Sequence, residues 1–186
     1  MGKAVFLDKD GTINHDKGYI DHPSKIDLLP GSSEAIRTFN EAGLKVVVIT
    51  NQSGVARGYF NEGMLSAIDK SLQKKLLSEN AFYDAIYYCP HHPEVGSYPY
   101  KQDCDCRKPN PGMLLKAAEE FNLNLDECFM VGDKLSDIEA GKNAGCKTVL
   151  VLTGYGEEVK ANLNGTRPDF IAKDLLEAAN WILTLA

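Results

Sequence analysis

Apolar residues in this chain fall into short, nearly continuous runs alternating with stretches of helical periodicity. Residues 4–7 (Ala-Val-Phe-Leu), 44–49 (Leu-Lys-Val-Val-Val-Ile), 85–88, 129–133 and 148–152 are such runs, and they predict strands buried on both faces. Residues 168–172 predict a short edge strand. Between these runs, Ala35, Ile36, Phe39 and Ala42 line one face of a helix introduced by Pro30-Gly31-Ser32-Ser33 and stopped by Gly43. Met64, Leu65, Ile68, Leu72, Leu76 and Leu77 form the inward stripe of another, capped by Asn61 and running to about residue 79. Residues 113–121 after Pro111, 136–144 before Gly145, and 175–185 around Trp181 predict the remaining helices. Strands alternating with helices at this spacing imply a doubly wound α/β fold, a mostly parallel, Rossmann-like sheet with helices on both faces. Residues 14–30, polar and broken by Gly18, Pro23 and Pro30, predict a long surface loop of the kind that serves as a flap.

Composition narrows the functional classes. The 186 residues suit a single domain, 1–186, with a sizeable core. Twenty Lys and Arg against 26 Asp and Glu give a net charge of −6, which argues against a broad nucleic-acid surface. No apolar run is long enough to span a bilayer, and the start has no apolar segment with a cleavage site, so the expected setting is the cytoplasm with no membrane partner. The five cysteines, odd in number and unevenly clustered, point away from a secreted disulfide framework and toward metal binding.

The strand ends carry the chemistry. Residues 4–7 lead into Asp8-Lys9-Asp10-Gly11-Thr12; residues 44–49 into Thr50-Asn51-Gln52-Ser53-Gly54; residues 129–132 into Asp133. Arg107-Lys108 follows the irregular segment after residue 88. In a parallel sheet the carboxyl ends of the strands share one edge, so these groups can converge on one crevice. Carboxylates supply hard oxygen ligands for Mg²⁺, while a hydroxyl, an amide and a lysine can hold phosphate oxygens. Phosphoryl transfer needs that combination, because its difficulty lies in positioning and charge neutralisation. Taken singly, each has an ordinary alternative: a Gly-Asp turn, a Thr cap, a solvated Arg-Lys pair. Their coincidence at strand ends favours a site.

The chain resembles the haloacid dehalogenase superfamily of phosphohydrolases along almost its whole length. Asp8-x-Asp10-Gly11-Thr12, Thr50, Lys108, and Gly132-Asp133 with Asp137 match its four motifs in order. The resemblance implies that Asp8 is a nucleophile forming an aspartyl phosphate and that Asp10 is the general acid and base. It also implies Mg²⁺ held by Asp8, the Asp10 backbone carbonyl and Asp133, with Thr50 and Lys108 on the transferring phosphoryl oxygens. Large caps of the superfamily are absent, since residues 14–32 and 89–106 are only loops.

Cys89-Pro90-His91-His92-Pro93 followed by Cys104-Asp105-Cys106 is a further constellation. Three thiols and an imidazole suit a tetrahedral structural Zn²⁺ site formed by Cys89, His91, Cys104 and Cys106, with His92 as the alternative imidazole. The competing reading is exposed histidines and free thiols. Cys128 and Cys146 read as core residues.

These segments narrow the resemblance to the small histidinol-phosphate and heptose-bisphosphate phosphatase branch. It implies a sugar bisphosphate substrate, a heptose losing its C7 phosphate, contacted by Asp16, Lys17, Gly18, Tyr19, Thr50, Asn51, Gln52, Ser53, Arg107, Lys108 and Lys134. The alternatives are histidinol phosphate as substrate, or a phosphate-ligand binding protein with a decayed site. For Asp137, orienting Lys134 or the metal's water shell and capping a helix start are both open. Without a cap to supply a dimer surface, a monomer is expected.

Overall fold

The apolar runs pair side by side, all in parallel, into one six-stranded sheet of order β3-β2-β1-β4-β5-β6. The strands are β1 (Ala4–Leu7), β2 (Lys45–Asn51), β3 (Ala85–Cys89), β4 (Phe129–Gly132), β5 (Lys147–Val151) and β6 (Phe170–Ala172). The helices are α1 (Ser32–Glu41), α2 (Glu62–Leu77), α3 (Gly112–Phe121), α4 (Leu135–Ala144), α5 (Gly156–Ala161) and α6 (Leu175–Leu183). The computed structural model describes residues 2–163 and 165–186; Met1 and Asn164 lie outside the described residues.

The period of two along each strand sorts the core onto two faces. Val5, Leu7, Val46, Val48 and Val131 meet Ile36 and Phe39 of α1, Ile68 and Leu72 of α2, and Ile182 of α6. On the opposite face Ala4, Phe6, Val47, Ile49 and Met130 meet Leu114 of α3 and Ala140 of α4. The central register places Phe6 beside Val47 on one side and Met130 on the other. Both faces are covered, which is why the strand sequences are apolar without a break. Cys128 and Cys146 are buried in the second of these clusters.

Several boundaries differ from the periodicity reading. β2 continues through Thr50 and Asn51 because the ladder persists there, opposite Tyr88 and Cys89 of β3. Ala42 is exposed and only caps α1, since the chain turns away at Gly43, whose φ is +75°. Leu77, in the last turn of α2, is 56% exposed, and Asp69 takes a buried place on that helix. Helix α5 was not anticipated: Gly-Glu-Glu-Val-Lys-Ala carries no apolar stripe to announce it. Only loop and one 3-10 turn at Pro23–Lys25 separate β1 from α1. No described helix is long and apolar enough to cross a membrane.

Candidate active site and metal centre

β1 is the strand at which the sheet changes direction: β2 and β3 build to one side of it, β4 to β6 to the other. Open α/β sheets form their ligand crevice at such a switch point, outside the carboxyl ends. Asp8 follows β1 and Asp133 follows β4, so the two carboxylates are adjacent there. Asp8, Asp133 and Asp137 offer oxygens all within 4.8 Å of one another, and all three residues are buried. Gly11, at φ +93°, permits the approach, because a Cβ at that position would run into the Asp133 carboxylate.

Asp133 Oδ2 accepts the Tyr155 backbone N–H at 2.9 Å, while Oδ1 is buried with no hydrogen-bond partner. Burial, reinforced by the Asp8 charge, pushes the Asp133 carboxyl up to about 8. An unsatisfied buried carboxylate oxygen beside another carboxylate is a donor set suited to a hard divalent cation. Asp137 is differently engaged: its Oδ1 lies 2.6 Å from Lys108 Nζ and its Oδ2 accepts the Lys134 N–H at 3.0 Å. It both caps α4 and holds Lys108, which leaves Asp8 and Asp133 as the side chains free to take a metal. Burial raises the Asp137 carboxyl to about 6 even against the Lys108 charge.

Lys108 is the cation of this cluster. Its Nζ lies 2.7 Å from Asp8 Oδ1 and donates to the Ile49 carbonyl at 2.7 Å. Burial pulls its pKa down, but Asp137 and Asp8 outweigh that and raise it. For Asp8 the same balance runs the other way: burial pushes the carboxyl up, and Lys108 and Lys134 hold it below the ordinary carboxylate range. Asp8 is therefore an ionised carboxylate held in a fixed orientation. Asn51, at the end of β2, clamps the Lys108 backbone with two hydrogen bonds, Nδ2 to the carbonyl and Oδ1 from the N–H, each 3.1 Å.

Asp10 is held by amides. Asn14 Nδ2 donates to its Oδ1 at 2.8 Å and Gln52 Nε2 to its Oδ2 at 3.0 Å. Gln52 Nε2 also lies 3.0 Å from Thr50 Oγ1, so that oxygen accepts and the hydroxyl hydrogen is left for the pocket. Asp8, Asp10, Thr50, Asn51, Lys108, Lys134, Ser136 and Asp137 enclose a small cavity of about 40 Å³. It shares walls with an open groove of about 460 Å³ lined by Asp16, Gly18, Tyr19, Gln52, Ser53, Arg107 and Tyr155 among others. The first volume is on the scale of one phosphoryl group and the second admits a sugar.

Of the substrate-contacting residues that the resemblance implies, Lys17 alone lines neither the groove nor the small cavity, pairing with Asp27 at 2.9 Å on the exposed side of the flap. Asp16 binds the Gly18 N–H at 2.8 Å and Lys134 Nζ at 3.1 Å, tying the flap to the site. The motifs did not reveal Asn14, Ser136 or Tyr155, nor the burial of Lys9, which is 1% exposed and lies 3.6 Å from Asp69 and 3.9 Å from Asp10. One signal was available: Asp69 interrupts the apolar stripe of Leu65, Leu72 and Leu76, and an acid in that place calls for a buried cation.

Cys89, His91, Cys104 and Cys106 come together as a second cluster. Cys104 Sγ is 3.6 Å from Cys89 Sγ and 3.2 Å from Cys106 Sγ, and His91 Nδ1 is 3.4 Å from Cys106 Sγ and 3.8 Å from Cys89 Sγ. A tetrahedron with Zn–S bonds of about 2.3 Å has edges near 3.8 Å, so the donor set fits that ion. His92 instead accepts the Glu94 and Val95 N–H groups at Nδ1, which removes it from the cluster. Arg107 Nη1 donates to the His91 carbonyl at 3.1 Å, so the cluster's loop directly supports a groove residue.

Fold and site together define the class, a hydrolase of the haloacid dehalogenase type, and the HAD-hydrolase-like family model matches residues 105–178. A D-glycero-beta-D-manno-heptose-1,7-bisphosphate 7-phosphatase of Pasteurella multocida is 49% identical over 155 residues, 83% of this chain and 84% of the relative. The D-glycero-D-manno-heptose-1,7-bisphosphate 7-phosphatase of Thermosynechococcus vestitus is 42% identical over 187 residues, 97% of this chain and 95% of the relative. A crystal structure of D,D-heptose 1,7-bisphosphate phosphatase from B. bronchiseptica, complexed with magnesium and phosphate, superposes with a TM-score of 0.89 at 36% identity, covering 100% of both chains. The chain belongs to the family of heptose-1,7-bisphosphate 7-phosphatases.

Proposed function

We propose that this chain removes the C7 phosphate of D-glycero-D-manno-heptose 1,7-bisphosphate, as one cytoplasmic, monomeric domain serving the synthesis of nucleotide-activated heptose for cell-surface glycans. The observation that carries the reading is the ionised Asp8 oxygen set between Lys108 and the orphaned Asp133 carboxylate, at a phosphoryl-sized cavity that shares walls with a sugar-sized groove.

The C7 phosphoryl group enters the small cavity, where Lys108 and the Thr50 hydroxyl hold its non-bridging oxygens. Asp8 attacks phosphorus, forming the aspartyl phosphate as the bond to the C7 oxygen breaks. Asp10, oriented by Asn14 and Gln52, gives its proton to that leaving oxygen. Asp10 then takes a proton from water, the water oxygen bonds to phosphorus, the bond to Asp8 breaks, and inorganic phosphate leaves. Asp8, Asp133 and the Asp10 carbonyl would hold Mg²⁺, which when bound would neutralise charge between the nucleophile and the phosphate dianion. Cys89, His91, Cys104 and Cys106 would hold a structural Zn²⁺, and the His91 carbonyl keeps Arg107 at the groove, where its planar fork suits the substrate's second phosphate or hydroxyls. Lys134 and the Asp16-to-Tyr19 flap close on the same groove.

Phosphorus NMR of the product tests the assignment. The reading expects the C7 resonance to be replaced by inorganic phosphate with the C1 phosphate retained. Release of the C1 phosphate, or no release with Mg²⁺ present, contradicts it.

A further inference from the structure

Arg57 is used by no step of the proposed reaction, yet its guanidinium lies against both the flap and the metal loop. It lies in the tight turn after β2, where its N–H donates to the Ser53 carbonyl at 3.0 Å and the Tyr59 N–H to the Gly54 carbonyl at 2.9 Å. Ser53 and Gly54 line the groove. From that turn the guanidinium reaches outward in two directions. Its carbon lies 5.9 Å from the ring centre of Tyr19, within cation–π range, and Tyr19 packs edge-on to Tyr59 at 4.6 Å. Its Nη2 packs 3.2 Å from His92 Nε2; because His92 Nδ1 accepts the Glu94 and Val95 N–H groups, the ring proton sits on Nε2 and this is a packing contact, not a hydrogen bond. The metal loop is pressed against the same turn, since a Cβ on Gly96 would strike the Ala56 carbonyl.

The adjacent residues His91 and His92 thus divide the work. His91 faces the thiol cluster and its carbonyl holds Arg107, while His92 meets Arg57, which meets the flap. Tyr19 itself is 43% exposed, while its neighbours are held by Asp16 on Lys134 and by the buried Ile20, and the turn and the metal loop are each anchored by a backbone network. We infer that Arg57 is a positioning residue that latches the Tyr19 flap to the turn on which the metal loop packs, so that the state of the metal loop sets how well the groove grips the sugar. This rests on the proposed function for its substrate. It assigns Arg57 no contact with the reacting phosphoryl group. Loss of the latch therefore acts on substrate affinity and leaves the chemical step to Asp8 and Asp10.

The test compares Arg57→Ala and Arg57→Met with wild type as zinc- and magnesium-loaded enzymes; the Met variant keeps the packed stem and removes the guanidinium. Two readouts are taken, steady-state kinetics on heptose 1,7-bisphosphate and amide hydrogen exchange of residues 16–20. The latch predicts KM raised about tenfold with kcat changed less than about twofold, the loss of one partly desolvated cation–π contact with its ordering effect. It also predicts faster exchange at 16–20 with no change in β5. If Arg57→Ala unfolds, the same shifts are required of Arg57→Met. Wild-type KM together with wild-type exchange in a folded variant overturns the inference. If wild type itself fails to turn over the bisphosphate, the proposed substrate is wrong, and the exchange readout still decides the latch.

Discussion

Lys108 crosses a separation of 100 residues to set its ammonium 2.7 Å from Asp8 Oδ1, and the same nitrogen lies 2.6 Å from Asp137 Oδ1. A buried cation between two buried carboxylates holds Asp8 ionised and fixes its orientation. Lys108→Met should abolish turnover and also destabilise the fold by about 3–5 kcal/mol, because Asp8 and Asp137 are left buried without their partner. Urea unfolding together with phosphate release measures both. A Met variant of wild-type stability would show that the cluster does not depend on the cation.

Asp8→Asn keeps the shape of the nucleophile and removes its charge. Phosphate release should fall by about four orders of magnitude or more, in the range seen when an essential nucleophile is lost. Retained turnover would rule out covalent catalysis through Asp8.

Asp133 gives the pH dependence its sign. Its pKa, raised by burial to about 8, lies above the unfolded value, so its favourable contribution to the metal-free fold is complete below about pH 4 and is lost as pH rises through about 8. Melting temperature in Mg²⁺-free buffer should fall between about pH 5 and pH 8.5. Mg²⁺ should restore it at the upper end and do little at the lower, since it competes with the proton. Equal Mg²⁺ stabilisation at both ends would show that Asp133 is not the titrating ligand.

Removal of zinc should act through Arg107, whose guanidinium hangs on the His91 carbonyl. A verified zinc-free, Mg²⁺-supplied sample should lose activity on the bisphosphate and melt at lower temperature. Full activity in that sample would show that the thiol cluster does not support the groove.

The strands and the motif residues were legible because burial on both sheet faces writes continuous apolar runs, and a parallel sheet must bring the ends of those runs to one edge. Asp8, Thr50 and Lys108 could be read in that way. The supports around them could not. Asn14 holds Asp10 through an amide that looks, in sequence, like an ordinary loop residue, and Gln52, read there as a substrate contact, gave no sign of its bond to Asp10. Lys9 reads as a surface lysine, and only its spatial neighbour Asp69, across the sheet-to-helix contact, makes its burial possible. Leu77 was misread because periodicity cannot show where a helix leaves its core; the chain turns away at Asn80, whose φ is +59°. Arg57 gave no signal either, because its partners Tyr19 and His92 come from loops with no period.

Substrate choice is tested most directly by kcat/KM measured on both anomers of D-glycero-D-manno-heptose 1,7-bisphosphate beside histidinol phosphate, with Mg²⁺ present. The site predicts a higher kcat/KM on heptose 1,7-bisphosphate than on histidinol phosphate, with loss of the C7 phosphate. A higher kcat/KM on histidinol phosphate would contradict it.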